Sequence, residues 1–162
     1  MAYDITIAAQ DRGTISTDTL LSTDTVAMRD CGDRPIDTLV VVGGDGVYDI
    51  IENAEFLTDL SALAHRAERV CSVCSAAIAL AATGLLDGRR AVTHWEDAEA
   101  LATGFPAVQV ETDPIYLKDG HIWTSAGVTS GIDMSLALVA EDLGQDAAME
   151  RAQALVTYMV RP

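Results

Sequence analysis

Three groups of residues in this 162-residue chain have the types and spacing to do chemistry. The first is Val70-Cys71-Ser72-Val73-Cys74-Ser75-Ala76-Ala77, a short buried-strand pattern that passes into a small-residue helix with no loop between. Such a junction needs a sharp turn, and its apex residue is presented at the carboxyl end of the sheet, where open α/β sheets bind ligands. Cys74 is that residue. At a helix N-terminus the dipole and free N–H groups favour a thiolate, and the Ser75 N–H is placed to help hold an oxyanion. Cys74 also reads as a small buried hydrophobe, since free cysteine is often buried. Cys71 falls inside the strand, so the Cys-x-x-Cys spacing is read as packing. A redox pair would sit at the start of a helix.

The second group is Gly43-Gly44-Asp45-Gly46, which ends the preceding β-branched run. Adjacent strand ends in a parallel sheet lie side by side, so its N–H groups are expected to form the other half of an anion pocket beside Cys74. No Gly-Lys-Ser/Thr follows, so this is not a phosphate loop; an ordinary turn is the alternative. The third is His94, in Thr93-His94-Trp95. One helix and one short strand separate it from Cys74, a path expected to return to the same sheet edge. There it would act on the thiol as base or cation, or simply pack beside Trp95. No cluster has metal-ligand spacing, and no metal or cofactor is expected.

The elements that must position these groups follow from the apolar pattern. Tyr3 to Ala9 reads as a strand, and residues 13–28 as short strands or a hairpin. Asp37 to Val42 reads as a parallel strand buried on both faces, followed by a helix over about Val47 to Arg66. Arg69 to Val73 is a strand, Ser75 to Thr83 a helix stopped by Gly84, Arg90 to Thr93 a brief strand, and Glu96 to Thr103 a helix. Val108 to Glu111, Ile115 to Leu117 and His121 to Thr124 read as strands, the last two joined by a Lys118-Asp119-Gly120 hairpin turn. Gly127 to Leu143 and Gln145 to Val160 read as long helices. Alternation of this kind predicts a mostly parallel sheet with helices on both faces.

Composition excludes several classes. Apolar residues make up 49% of the chain, which argues against disorder. Asp and Glu number 25 against 10 Lys and Arg, a net charge of −15, so this chain is not expected to touch nucleic acid. No apolar run is long enough to span a bilayer, and Met1-Ala2-Tyr3-Asp4 is no secretory start. Three cysteines fit a reducing cytoplasm and not a disulfide framework.

The stretch Ser72 to Trp95 (S-V-C-S-A-A-I-A-L-A-A-T-G-L-L-D-G-R-R-A-V-T-H-W) resembles the ThiJ/PfpI superfamily, of the class I glutamine amidotransferase-like fold. It is most similar to the N-terminal sensor domains of AraC-type transcriptional regulators. The likeness continues through Phe105-Pro106, Asp113-Pro114-Ile115-Tyr116 and Asp119-Gly120, then through Trp123 to Val139, Glu141-Asp142-Leu143-Gly144 and the last helix. The resemblance implies an α/β flavodoxin-like three-layer sandwich, usually dimeric, with Cys74 at a nucleophile elbow and His94 near it. Gly43, Gly44, Asp45, Ser75 and Trp95 would line the ligand pocket, with Ser125, Ala126, Gly127 and Val128 at its rim.

Three departures from the pattern bear on function. The family opens with a strand and helix carrying an acidic residue aimed at the cysteine, and nothing here matches that unit. Ser75-Ala76 replaces the usual Thr-Gly. No helix-turn-helix region follows the last helix. The expectation is therefore a single domain over residues 1–162 that senses a small molecule and dimerises for an AraC-type regulator, with DNA contact left to a missing C-terminal region. The alternative is a Cys-dependent hydratase or amidase-like enzyme, as in related isocyanide hydratases. A third is a thiol-based stress sensor.

Overall fold

The computed structural model of the chain describes residues 3–17, 20–32 and 34–157. It begins with a small three-stranded sheet of β1 (Ala8–Ala9), β2 (Gly13–Ser16) and β3 (Ser22–Ala27), in the order β1-β3-β2. The β2–β3 pair is the expected hairpin, antiparallel from Gly13↔Thr25 to Ser16↔Ser22. The expected strand over Tyr3 to Ala9 is regular only at its last two residues.

Next come β4 (Ile36–Val42), α1 (Val47–Ile50), α2 (Ala54–Arg66), β5 (Ala67–Val73) and α3 (Ala76–Ala82). The single helix expected over 47–66 is two helices. Asn53 divides them: its side chain accepts from the N–H groups of Glu55 and Phe56, both at 3.1 Å, and so starts α2 as an N-cap. At the far end of α3, Gly84 takes φ +80°, the left-handed stop that its position predicts.

The chain continues through β6 (Arg90–Ala91), α4 (Ala98–Gly104), β7 (Gln109–Val110), β8 (Tyr116–Asp119), β9 (Ile122–Ser125), α5 (Val128–Leu143) and α6 (Gln145–Ala154). The expected hairpin joins β8 to β9, with Gly120 at φ +64°. The last helix is shorter than expected, and Tyr158 to Val160 lie outside the described residues.

The main sheet has the order β4-β5-β9-β8, parallel except for β8. β5 is its centre, and its alternating side chains feed two cores. Val70 packs with Leu60, Leu80 and Ile122 beneath α2 and α3. Cys71 packs with Trp123, Met134 and Leu138 beneath α5. Helices therefore cover both faces, in a flavodoxin-like α/β arrangement. Gly131 brings α5 close: a Cβ there would lie 2.9 Å from Val73 Cγ1.

Two expectations fail here. β4 is not buried on both faces. Among the described residues it is an edge strand, and Val40 and Val42 remain 48% and 73% exposed. Its β-branched run indicates a strand but not how many neighbours the strand has. The brief strand at Arg90 does not return to the main sheet either; β6 pairs with β7 alone. Side-chain bonds make the return instead, beginning with the N–H of Val92, which donates to Thr124 Oγ1 at 2.9 Å.

Arg69 ties the start of the sheet together. Its guanidinium donates twice to Thr38 Oγ1, at 2.9 and 2.7 Å, and grips Asp142 with two bonds of 2.9 and 2.8 Å. Tyr3 Oη adds a third bond to Asp142, at 3.0 Å. Hydrogen bonds from Arg69 lead the effects that hold the Asp142 carboxyl below its ordinary range.

Candidate functional site

Cys74 and Ser75 alone join β5 to α3. Its φ is +62°, the left-handed region that costs a residue bearing a Cβ about 1–2 kcal/mol. Neighbours on both sides hold this peptide. The Cys74 N–H donates to the carbonyl of Ser125, at the end of β9, over 3.0 Å. The Cys74 carbonyl accepts from Thr93 Oγ1, also at 3.0 Å. Strain of this size persists only where surrounding bonds over-determine it. Cys74 is half-buried, whereas Cys71 is fully enclosed. Burial pushes the Cys71 thiol up to about 12, so it is inert at neutral pH, as its place in the strand predicts.

The Gly43-Gly44 turn meets the Cys74 turn backbone to backbone. The Gly43 N–H donates to Val73 O at 3.0 Å. A Cβ on Gly43 would lie 2.5 Å from Ser75 Oγ, 2.7 Å from Ser75 N and 2.8 Å from Ala76 N. Glycine is required there by close approach. The anion-pocket expectation for this turn needs correcting: the Gly44 N–H donates to Ser75 Oγ at 3.0 Å, and Ser75 Oγ donates back to Gly44 O at 3.2 Å. The hydroxyl and Gly44 satisfy each other, so this N–H does not face an incoming anion.

His94 is set beside the turn by Thr93. Its ring packs on Gly127, where a Cβ would lie 3.6 Å from His94 Cδ2. Its Nδ1 faces Glu96 Oε2 at 3.6 Å. The Trp95 ring lies 5.7 Å away, tilted by 40°, and Trp95 is 76% exposed. Gly127 caps α5 through Ser130: its N–H donates to Ser130 Oγ at 2.6 Å, and Ser130 Oγ donates to Gly127 O at 2.9 Å. Among the described residues, no hydrogen bond reaches Cys74 Sγ from His94 or from any carboxylate. No group of three or more His, Cys, Asp or Glu among them could hold a metal ion.

An open groove of about 930 Å³ runs from this turn along α5 to α6. Of the residues expected from sequence, Gly43, Gly44, Asp45, Cys74 and Val128 line it. Ser75, His94, Trp95, Ser125, Ala126 and Gly127 do not. Ser75 lies on the α3 side of the turn, and the 94–95 and 126–127 segments flank Cys74 away from the groove. The rest of the wall is mostly apolar, with Val40, Val42, Ile132 and Leu155 prominent.

Ser125, expected at the rim, acts instead through the Cys74 backbone. Sequence reasoning missed three residues that shape the site. Thr93 also acts through the Cys74 backbone. Tyr48 Oη donates to Asp97 Oδ1 at 2.7 Å and ties the turn after β4 to the segment after His94. Only the short polar run before His94 hinted at any of these.

This geometry accompanies a clear relationship. The sequence matches the DJ-1/PfpI family over residues 2–141, and the chain belongs to that family. Isonitrile hydratase of Pseudomonas putida is 37% identical over 124 residues, covering 76% of this chain and 52% of that protein. The HTH-type transcriptional regulator GbdR of Pseudomonas aeruginosa is 32% identical over 126 residues, covering 78% of this chain and 34% of the regulator. The crystal structure of a ThiJ/PfpI family protein from Pseudomonas syringae superposes with a TM-score of 0.84 at 35% identity, covering 98% of this chain and 64% of that one. The chain thus spans about half the length of the hydratase and a third of the regulator. The family holds both regulators and a hydratase. No helix among the described residues is long and apolar enough to cross a membrane.

Proposed function

We propose that this chain is the ligand-sensing and dimerising domain of an AraC-type transcriptional regulator, working in the cytoplasm, with DNA contacted by a separate region. The observation that carries the reading is the unaccompanied thiol. Cys74 is held in a strained, well-supported turn at the end of a large apolar groove, yet among the described residues no base or acid is hydrogen-bonded to its Sγ. A pocket needs shape and a few placed polar groups, whereas nucleophilic turnover needs a base in reach. The likeness to GbdR supports the same reading, and the net charge of −15 suits a module that leaves DNA to another segment.

Isonitrile hydratase at 37% identity favours a second reading, a cysteine-dependent hydratase. Cys74 would add to an electrophilic carbon, His94 would move the proton, and water would then release the thiol. One experiment separates the two. The purified chain and Cys74→Ala are incubated with an aliphatic isocyanide, and formamide is measured. The sensor reading expects no Cys74-dependent product, together with a genomic reading frame that continues into a helix-turn-helix region. Cys74-dependent turnover would overturn it.

A further inference from the structure

A second, smaller cavity of about 150 Å³ lies between α2 and the short 3₁₀ turn Met28–Asp30. Buried Met28 and Leu63 give it an apolar floor. Three charged side chains line it: Arg29 from the turn, and Asp59 and Arg66 from α2. Asp59, Ala62, Leu63 and Arg66 follow the i, i+3, i+4, i+7 spacing, so one face of α2 presents all four. None of these residues lines the groove at Cys74.

Two of the charged groups are incompletely satisfied. Asp59 Oδ2 is shielded from solvent, yet it accepts no hydrogen bond among the described residues. A buried acceptor without a donor bears its full desolvation penalty. Arg66 is half-buried, and its side chain makes one hydrogen bond, from Nη2 to the carbonyl of Arg34 at 2.7 Å. Every other Lys and Arg among the described residues is ion-paired with an Asp or Glu. Arg66 is not, in a chain of net charge −15. Arg29 is already held by Asp11 and Glu55. Asp59 and Arg66 do not close on each other either: two helical turns, about 10 Å of axis, separate their backbones.

We propose that this cavity binds a small zwitterion of the size of glycine, alanine or serine, with its ammonium group on Asp59 Oδ2 and its carboxylate on the Arg66 guanidinium. A cation alone leaves Arg66 unpaired. An anion alone leaves Oδ2 without a donor and brings negative charge up to Asp59. Water fills the space but leaves the charge of Arg66 unneutralised. A molecule with an ammonium at one end and a carboxylate at the other serves both groups at once. The planar fork of an arginine matches a carboxylate with two parallel N–H bonds. Size sets the limit: 150 Å³ equals about five waters at about 30 Å³ each, which admits a short side chain and excludes an indole. The inference does not rest on the sensor reading.

The test titrates the purified 162-residue chain with glycine, alanine and serine and follows the backbone amides of Met28, Ala62 and Leu63 by NMR. Shifts that saturate below about 10 mM are expected, while the amides of Cys74 and Val128, at the groove, stay in place. Ethylamine and propionate carry one end each and are expected to bind about tenfold more weakly or worse than alanine. Asp59→Asn and Arg66→Gln are each expected to weaken alanine by a similar factor, and tryptophan is expected not to bind. Four results overturn the proposal: no saturable shift with any of the three amino acids, shifts confined to the groove, a single-ended analogue or tryptophan binding as well as alanine, or undiminished alanine binding by either variant. The analogue comparison uses the parent chain, so it decides even where a variant is destabilised. Isocyanide turnover leaves this readout untouched.

Discussion

Replacing Gly43 by Ala puts one methyl group where three atoms already stand. Two of them, Ser75 N and Ala76 N, are backbone atoms of the turn and of the start of α3. They cannot swing aside as a side chain would. Overpacking of this kind costs about 1–3 kcal/mol. Moving Ser75 also breaks or bends its reciprocal bonds with Gly44, worth about 1 kcal/mol. The expected loss is about 2–4 kcal/mol, or a fall in Tm of roughly 4–16 °C for a chain of this length. Gly44 supplies the control. A Cβ there meets nothing within 4 Å, so Gly44→Ala is expected to change stability by less than about 1 kcal/mol, toward greater stability. Thermal melts of both variants by circular dichroism, alongside alkylation of Cys74, make the comparison. The clash also shifts the turn itself, so the alkylation rate changes in Gly43→Ala and not in Gly44→Ala. Equal Tm values for the two variants would refute the close-approach argument.

Thr93→Val removes the hydroxyl that donates to the Cys74 carbonyl and is expected to cost about 1 kcal/mol. Thr93→Ser keeps the bond, so a chemical-denaturation series should show Ser as the milder change. Asp142→Asn tests the Arg69 anchor. The native carboxyl titrates below its ordinary range, so its stabilising effect is fully present above about pH 4 and fades as pH falls through the depressed value. Unfolding free energies from urea titrations of the parent and the variant should therefore differ at pH 7, by about 1–3 kcal/mol for a charge-assisted pair, and converge in strong acid. Iodoacetamide at pH 8 should modify Cys74 and spare Cys71, whose thiol is pushed up to about 12 by burial; peptide mass mapping that finds native Cys71 alkylated would contradict its assigned place in the core.

The turn at Cys74 was legible because a β-branched run met an alanine-rich run with nothing between, and only one geometry joins them. Cys71 was legible for the same reason. Gly43 was singled out correctly but for the wrong property: its role is the missing Cβ, a fact about a neighbour 32 residues away in sequence at Ser75. The edge position of β4 was not legible. Val40 to Val42 read as doubly buried, and strand order is a property of the whole sheet. Thr93 and Tyr48 also escaped notice. Each contributes through one hydrogen bond to a distant partner, which leaves no periodicity in the sequence. Asn53 was the readable signal that went unread, a capping residue in mid-helix.

The bonds that frame Cys74 share a chemical character. Thr93 to the Cys74 carbonyl, Cys74 to the Ser125 carbonyl, Ser75 with Gly44 and Ser130 with Gly127 all join hydroxyls and amides. None of these groups gains or loses a proton in the range where thiols and imidazoles titrate. The scaffold is thus silent to acid and base. A pH profile measured at Cys74 consequently reports the ionisation of the thiol and of the side chains that face it, undistorted by any titration of its supports.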